Sequence, residues 1–495
     1  MTRAILTGGR PALCAMLAAL AVSGCAVGPN FHAPGAPDGT YLAPQAQTPP
    51  PASDQRLVEG MAVPARWWSL FQSPDLDRIV QQALKSNPDL EAARRSLAAA
   101  RASYLATRGQ LLPSVDVAAS AQRARNPDSL ANPLSTNATY YALYSGQASI
   151  SYVLDVFGGV RRQVEGAKAQ AEQQRYEAAA AYATLTANVV GTVIQLASLN
   201  DQIDAAGRNV AAANELLRIT RRQAETGGAS EVDVAAQESV LAQAQLQLSP
   251  LRKQRAQAQD LLAALTGVSP SNAPRVEFGL AALRLPPELP VSLPATLVRQ
   301  RPDVLAAEAN LHAASAAVGV AVAARLPSLT LSGVSGGASS RAGHVFDYPD
   351  TFFTVTGQVA QPVFQGGALY YRQRGAEAAY KQAAAQYRSA VLAGLQNVAD
   401  ALHAVTEDAD AFRASTVAEA AAVRSLKLAK RQLELGQGGV VQALQAEQAF
   451  QTAETAAAQA RAQRMTDAVA LFQALGGAWW EKESGAGLGP AGGRP

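Results

Sequence analysis

Cysteine is almost missing. The 495-residue chain has two, Cys14 and Cys25, both near its start, so no disulfide can staple anything beyond that point. Histidine is scarce as well: His32, His312, His344 and His403 stand singly, none at the i, i+3 or i, i+4 spacing that puts a metal or base pair on one helix face. No glycine-rich phosphate loop with Lys and Ser or Thr occurs, and Gly336-Gly337 and Gly366-Gly367 lack the strand-to-helix setting of a nucleotide site. These absences leave no catalytic residue, cofactor or metal to expect. Charge is sparse, 16 % of residues with a formal net charge of +3, which does not provide the basic footprint of a nucleic-acid binder. Long apolar runs are missing too: 48 % of residues are hydrophobic, yet past the first two dozen no uninterrupted run is long enough for a membrane helix.

What is present begins with an export signal. Arg3 and Arg10 supply a positive start, and Pro11 to Val22 is an apolar stretch of h-region length, too short to span a bilayer. It closes on Val22-Ser23-Gly24-Cys25, small residues ahead of a cysteine, which resembles the lipobox where bacterial lipoproteins are cleaved and acylated. Residues 1–24 then form a signal peptide, and Cys25, the first mature residue, carries a diacylglycerol and an N-acyl chain. Ala26 rather than Asp follows, so nothing marks retention in the inner membrane. From Gly28 to Pro51 the chain is rich in Pro, Gly, Ala and Gln, too poor in large apolar groups for a core, and reads as a tether within a segment 25–60. An outer-membrane protein without membrane helices must cross as a β-barrel, the other structure that satisfies every backbone group in lipid.

An internal repeat organises the remainder. Asn87-Pro88-Asp89-Leu90 and Arg301-Pro302-Asp303-Val304 each open an Ala-rich helical stretch, and each is followed at equal spacing by Leu-Pro-Ser, at Leu112-Pro113-Ser114 and Leu326-Pro327-Ser328. Phe157-Gly158-Gly159 answers Phe364-Gln365-Gly366-Gly367; Arg222-Gln223 with Gly227 answers Arg431-Gln432 with Gly436; Ala264-Leu265-Thr266-Gly267 answers Ala474-Leu475-Gly476-Gly477. Four echoes in one order give a first repeat over 61–267, a proline-rich linker over 268–294, a second repeat over 295–477 and a tail over 478–495.

Each half reads as a helix, two strands, a very long helix, a glycine-bearing turn and another helix. Val115, Val117, Ala119 and Ala121 alternate with Ser114, Asp116, Ala118, Ser120 and Gln122, and Tyr140 to Leu154 alternates likewise, the period-2 pattern of strands with unlike faces. In the second half Leu329, Leu331 and Val334 suggest a shorter strand, and Phe353, Val355 and Val359 another. Four strands cannot close a membrane barrel, because the smallest use about eight. No proline interrupts Val160 to Glu225 or Leu369 to Leu435, and roughly 65 residues of helix make a rod of about 100 Å, stable only against other helices. Alanine favours helix and lets neighbouring backbones approach closely.

The run Arg299-Gln300-Arg301-Pro302-Asp303-Val304, continuing through Ala306-Ala307-Glu308-Ala309 to Leu326-Pro327-Ser328-Leu329, resembles the outer membrane factors of tripartite efflux systems, TolC-like in architecture, and their nodulation-protein-T lipoprotein branch. Cys25-Ala26-Val27-Gly28-Pro29-Asn30-Phe31 and Trp67-Trp68 share the likeness. The resemblance implies an α+β membrane protein: a homotrimer whose chains give four strands each to a 12-stranded barrel, continuing into a long periplasmic α-helical barrel with a mixed equatorial belt. Val268 to Pro294 would join that belt, and the loops Arg123 to Asn137 and Gly337 to Asp350 would face the cell exterior. It also implies a passive exit duct, a periplasmic adaptor and an inner-membrane transporter of the resistance-nodulation-division or ATP-driven type. Gly227 and Gly436 match the tip motif that adjoins the adaptor, a place where glycine also simply caps a helix. Asp233, with Glu231 beside it, matches an acidic aperture position, although acids at a helix start are favoured by its dipole in any case. Where some relatives carry an aspartate pair at the second turn, this chain has Gln442 and Gln445, which hydrogen-bond without fixed charge; Val440, Val441 and Leu444 beside them suit an apolar constriction or coiled-coil packing. A lipid-anchored periplasmic coiled coil without a pore is the rival reading.

Overall fold

The computed structural model describes residues 26–35, 55–61, 63–125, 127, 139–291, 300–435, 437 and 439–477. Cys25 and Gly436 lie outside the described residues, as do most of the loop before Tyr140 and all of the tail 478–495. The chain forms two units, Met1–Pro34 with Leu97–Gln174 and Ala307–Tyr387, and Gly35–Ser96 with Arg175–Ala306 and Arg388–Pro495.

Six strands and seven α-helices are described. Strand β1 is Arg56–Glu59, helix α1 Pro74–Ser86, α2 Pro88–Gly109, β2 Ser114–Arg125, β3 Tyr140–Leu154, α3 Gly159–Glu225 and α4 Glu231–Leu265. Then follow β4 at Glu288–Val291, α5 at Pro302–Ala323, β5 at Ser328–Ser339, β6 at Thr351–Ala360, α6 at Ala368–Glu434 and α7 at Val440–Ala474. Helices α3 and α6 are both 67 residues long, and α4 and α7 both 35. Their first residues, Gly159 and Ala368, stand 209 positions apart, and so do their last, Glu225 and Glu434. Helices α2 and α5 match at 22 residues, and β2 and β5 at 12. Strand β5 is therefore not the shorter strand its apolar residues suggest: it runs on through Gly336-Gly337 to Ser339, where glycine erases the side-chain alternation without breaking the ladder.

In the first unit, β2, β3, β5 and β6 form one antiparallel sheet in that order. Val117 pairs with Ala148, Ala148 with Ser335, Ile150 with Gly333, and Gly333 with Val355. Because paired residues share a face, one face collects Val115, Val117, Ile150, Tyr152, Leu329, Leu331, Phe353, Val355 and Val359. The other collects Ser114, Asp116, Ser120, Gln147, Ser149, Thr330, Ser332, Thr354, Thr356 and Gln358. Along β2 and β6 the apolar side is not covered: Val117 is 81 % exposed and Phe353 81 %. Nor do the turns begin where the sequence puts them, since β2 extends to Arg125 and β5 to Ser339.

The second unit has the main core. Ser73 caps α1, its side chain accepting from the Leu76 N–H, with Pro74 in the first turn, where a missing donor costs nothing. Trp67, Trp68 and Phe71 are buried with Leu76, Ile79 and Val80 against Val189, Val190, Val193 and Ile194 of α3. Phe472 of α7 stacks on Trp67 at a centroid distance of 5.2 Å. The Trp-Trp pair is thus an anchor of the core. Both α3 and α5 hold windows apolar enough by composition to cross a membrane, but the Val189–Leu196 stretch of α3 spends those side chains on this core. Along α3, Asn200 donates to the Val276 and Phe278 carbonyls, and Asp201 accepts from the Leu280 N–H. The 268–291 segment lies on that helix, and its strand β4 runs parallel to β1.

Candidate functional site

The two helix turns use the same backbone bond. Gly228 N–H donates to the Gln223 carbonyl at 2.7 Å, and Gln437 N–H to the Gln432 carbonyl at 2.9 Å, again 209 positions on. Gly227 has φ +78°, and a Cβ built on it would meet nothing within 4 Å. The backbone therefore requires glycine for its conformation, while the space beside it stays open.

The acid after the first turn is a cap. Ser230 Oγ accepts from the Asp233 N–H at 3.2 Å, and Asp233 Oδ2 accepts from the Ser230 N–H at 2.9 Å and its hydroxyl at 2.7 Å, a reciprocal capping box. Those bonds hold the Asp233 carboxyl below the usual range, the Ser230 backbone contributing most. Asp233 Oδ2 is thus committed to the helix start, the capping role that an acid at this position was also expected to play. Glu231 is exposed in the same first turn.

After the second turn Gln442 and Gln445 both project from α7 and are exposed, whereas Ala443, Ala446 and Glu447 are buried. Glu447 pairs with Lys430 at 3.0 Å, and Ala446 and Phe450 pack on Leu426 and Ala429. Helix pairing is thus done by the small residues. Val441 is exposed and Leu444 half-buried, so neither belongs to that seam.

The second unit also has a groove of about 900 Å³ between α3, α4 and α7. Asn188, Thr192, Gln195, Gln202, Gln254, Gln459, Gln463 and Gln473 line it, and no charged residue does. Such a surface hydrogen-bonds broadly and discriminates little by charge.

In the first unit the residues after Cys25 are docked, so the tether reading fails for the first residues of the stretch 28–51. Val27 N–H donates to the Phe157 carbonyl at 3.0 Å. The buried Arg162 guanidinium donates to the carbonyls of Val27 (3.1 Å) and Gly28 (3.4 Å), to Asn30 Oδ1 (2.7 Å) and to Glu165 (2.7 Å). His312 lies 2.8 Å from Glu165 and stacks on Phe31 with centroids 4.3 Å apart. A Cβ on Gly28 would stand 2.5 Å from the Gly319 Cα, so only glycine admits this approach. Sequence reading missed Arg162, Glu165 and His312 as a group, because each pairs with residues more than a hundred positions away, and nothing local separates Arg162 from the exposed Arg161 beside it.

A second missed group lies between α6 and α7. Asp467 is 4 % exposed; Gln463 donates to its Oδ1 at 3.0 Å, and Oδ2 has no donor. Burial, then the neighbouring Asp408 carboxylate, pushes the Asp467 carboxyl up to about 7. A raised folded value means that stability is fully present below the ordinary carboxylate value and is lost as pH rises through about 7. Asp467→Asn keeps an acceptor for Gln463 and gives Asp408 a permanent donor. It is expected to raise the melting temperature by a few degrees at pH 8 and to leave it nearly unchanged at pH 4; equal effects at both pH values would show that Asp467 is not the titrating group.

Among the described residues no group of three or more His, Cys, Asp or Glu side chains is placed to hold a metal. What the fold presents is a two-faced sheet joined to long paired helices and an uncharged groove, the parts of an outer-membrane channel protein. The model of the outer membrane efflux protein family matches residues 79–268 and 293–477, and the chain belongs to that family. It is 31 % identical over 444 residues to the pyoverdine export outer membrane protein OpmQ of Pseudomonas putida, covering 88 % of this chain and 93 % of that one. It is 29 % identical to the antibiotic efflux pump outer membrane protein ArpC of Pseudomonas putida, covering 94 % and 95 %. Among solved structures, the outer-membrane channel OprN superposes with a TM-score of 0.81 at 27 % identity, over 92 % of this chain and all of that one. The protein is accordingly an efflux channel of the outer membrane.

Proposed function

We propose that three copies of this chain close one 12-stranded barrel and continue it into a periplasmic helical duct, the passive exit of a tripartite pump. The observation that carries this reading is the sheet: one apolar face left open along β2 and β6, one polar face, and β2 and β6 each paired on one side only among the described residues. An unpaired edge in lipid costs several kcal/mol per group, and joining β6 of one copy to β2 of the next removes every edge. The apolar face then meets lipid and the polar face lines the lumen. Energy comes from an inner-membrane transporter, of the resistance-nodulation-division or ATP-driven type, coupled through a periplasmic adaptor that meets the turns at Gly227 and Gly436. The uncharged amide groove suits a conduit that leaves selection to the pump, and two relatives named for different cargo, pyoverdine and antibiotics, support the same division of labour. Acylation of Cys25 would add a lipid anchor.

Unheated electrophoresis of outer-membrane extracts is expected to show a trimer, and the purified protein to conduct in planar bilayers. A stable monomer that leaves vesicles impermeable would support the poreless coiled coil instead. Gln442 and Gln445 are the proposed aperture residues, being exposed, uncharged and one helical turn apart at the second tip. Gln442→Ala with Gln445→Ala is expected to raise the resting conductance of assembled trimers; unchanged conductance removes both from the aperture.

A further inference from the structure

The apolar sheet face is free of charge except at one end. By register it carries Val115, Val117, Ala119 and Ala121 along β2, and then Arg123 and Arg125, at the end remote from the helices. Both arginines are exposed, and neither forms an ion pair among the described residues. Beside them is a cavity of about 320 Å³ lined by Ala121, Arg123, Tyr140, Ala142 and Tyr144, among others. The Arg125 guanidinium lies 5.5 Å from the centre of the Tyr140 ring.

The segment that follows β5 folds over this same face. Gly146 and Gly337, cross-strand partners, have no side chains there because the segment occupies the space: a Cβ on Gly146 would stand 2.8 Å from the Phe346 ring, and one on Gly337 would overlap the Val345 carbonyl oxygen at 1.6 Å. Phe346 and Tyr348 stay 74 % and 93 % exposed. Asp347 of this segment is taken by His344 at 2.6 Å, and Asp350 sits at the start of β6, separated from β2 by two strands.

Aromatic residues at the rim of a membrane barrel need no special partner. Two arginines two residues apart on the lipid side present forked donors that match a phosphate, and neither is ion-paired within the described residues. We propose that this end of the face binds the phosphorylated headgroup of a lipid in the outer leaflet, Arg123 and Arg125 holding phosphate, Tyr140 and Tyr144 walling the headgroup, and Val117, Val115 and Ile150 receiving its acyl chains. The proposal rests on the reading of the sheet as a membrane barrel wall. A membrane lipid, rather than free phosphate, is the ligand because the same face runs on from the arginines through Ala121 and Ala119 to the exposed Val117 and Val115.

The full-length trimer, extracted in mild detergent and delipidated, is titrated with a bisphosphorylated glucosamine lipid, with the same lipid dephosphorylated, and with inorganic phosphate, reading bound lipid by native mass spectrometry. The phosphorylated lipid is expected to bind about tenfold or more tightly than the dephosphorylated one, and that preference to vanish in Arg123→Ala/Arg125→Ala and to persist in part in Arg123→Lys/Arg125→Lys. Equal binding of the two lipids to the unmodified protein overturns the proposal without recourse to any variant. So does competition by inorganic phosphate at the lipid's own affinity. If the lipid preference is absent, and Asp350→Asn and the arginine variants dissociate the trimer alike, the arginines serve contact between copies. A trimer that conducts in bilayers but shows no preference sinks this proposal alone, whereas a chain that neither inserts nor conducts sinks the barrel reading and this proposal with it.

Discussion

Replacing Arg162 with Ala is expected to release residues 26–31 while leaving the sheet and the long helices in place. The side chain is 5 % exposed and donates to the Val27 and Gly28 carbonyls, Asn30 and Glu165. Removing it leaves those acceptors without their donor, a loss of about 3 kcal/mol for a broken buried charge pair. The remaining hold is one backbone bond from Val27 to Phe157 and the stacking of Phe31 on His312. Hydrogen exchange at Val27 and Phe31 should accelerate strongly, and proteolysis near Asn30 should appear, with the trimer and its conductance retained. Lysine at 162 should restore little, because one ammonium cannot span four acceptors. Unchanged protection at Val27 would mean that the arginine is not what holds the segment. For Glu165, burial raises the carboxyl, but the Arg162 and His312 hydrogen bonds outweigh it and leave it below the usual range. The clamp is therefore fully present above the ordinary carboxylate value and loosens as pH falls through the depressed folded value.

Arg301→Ala is expected to have a comparable effect on the second unit. Nη1 donates to the carbonyl of Ala474, the last residue of α7, at 2.7 Å, while Nε and Nη2 hold Asp303 at 3.0 and 2.6 Å. The guanidinium thus closes a helix C-terminus where carbonyls lack partners, and α6 approaches it at Gly394, where a Cβ would stand 3.2 Å from the arginine. Truncation leaves a buried carbonyl unsatisfied and a void beside α6, about 3 kcal/mol, or roughly 3–6 °C in melting temperature for a unit of this size. Arg301→Lys should fall between the two, keeping charge but losing the fork. Thermal unfolding of the detergent-solubilised protein decides it: a melting temperature within a degree of the unmodified protein removes Arg301 from the role.

The Arg301-Pro302-Asp303 motif was legible as a motif, but its role was not, because Ala474 stands 173 positions away. The long helices were legible nearly to the residue, Val160 against Gly159 and Leu369 against Ala368, since unbroken Ala-rich stretches without proline are a local property. Strand β2 was legible by alternation, whereas β5 was shortened in reading by its glycines. At the turns, the glycine at 227 could be read from its place in the repeat, opposite Gly436. That Asp233 closes a capping box depends on a serine hydroxyl three residues back whose rotamer no sequence states.

The sequence by itself determined the order of elements, the doubling of that order, the lengths of the rods and the unlike faces of the strands, because all follow from local periodicity, alanine content and the placing of proline and glycine. Only the tertiary structure decided that residues 26–31 are clamped at Arg162, that Asp467 is buried beside Asp408, and that the segment after β5 lies on the apolar face of the sheet. Each of these depends on which distant residues meet, and the free energy of a buried charge or an excluded Cβ is set by that meeting.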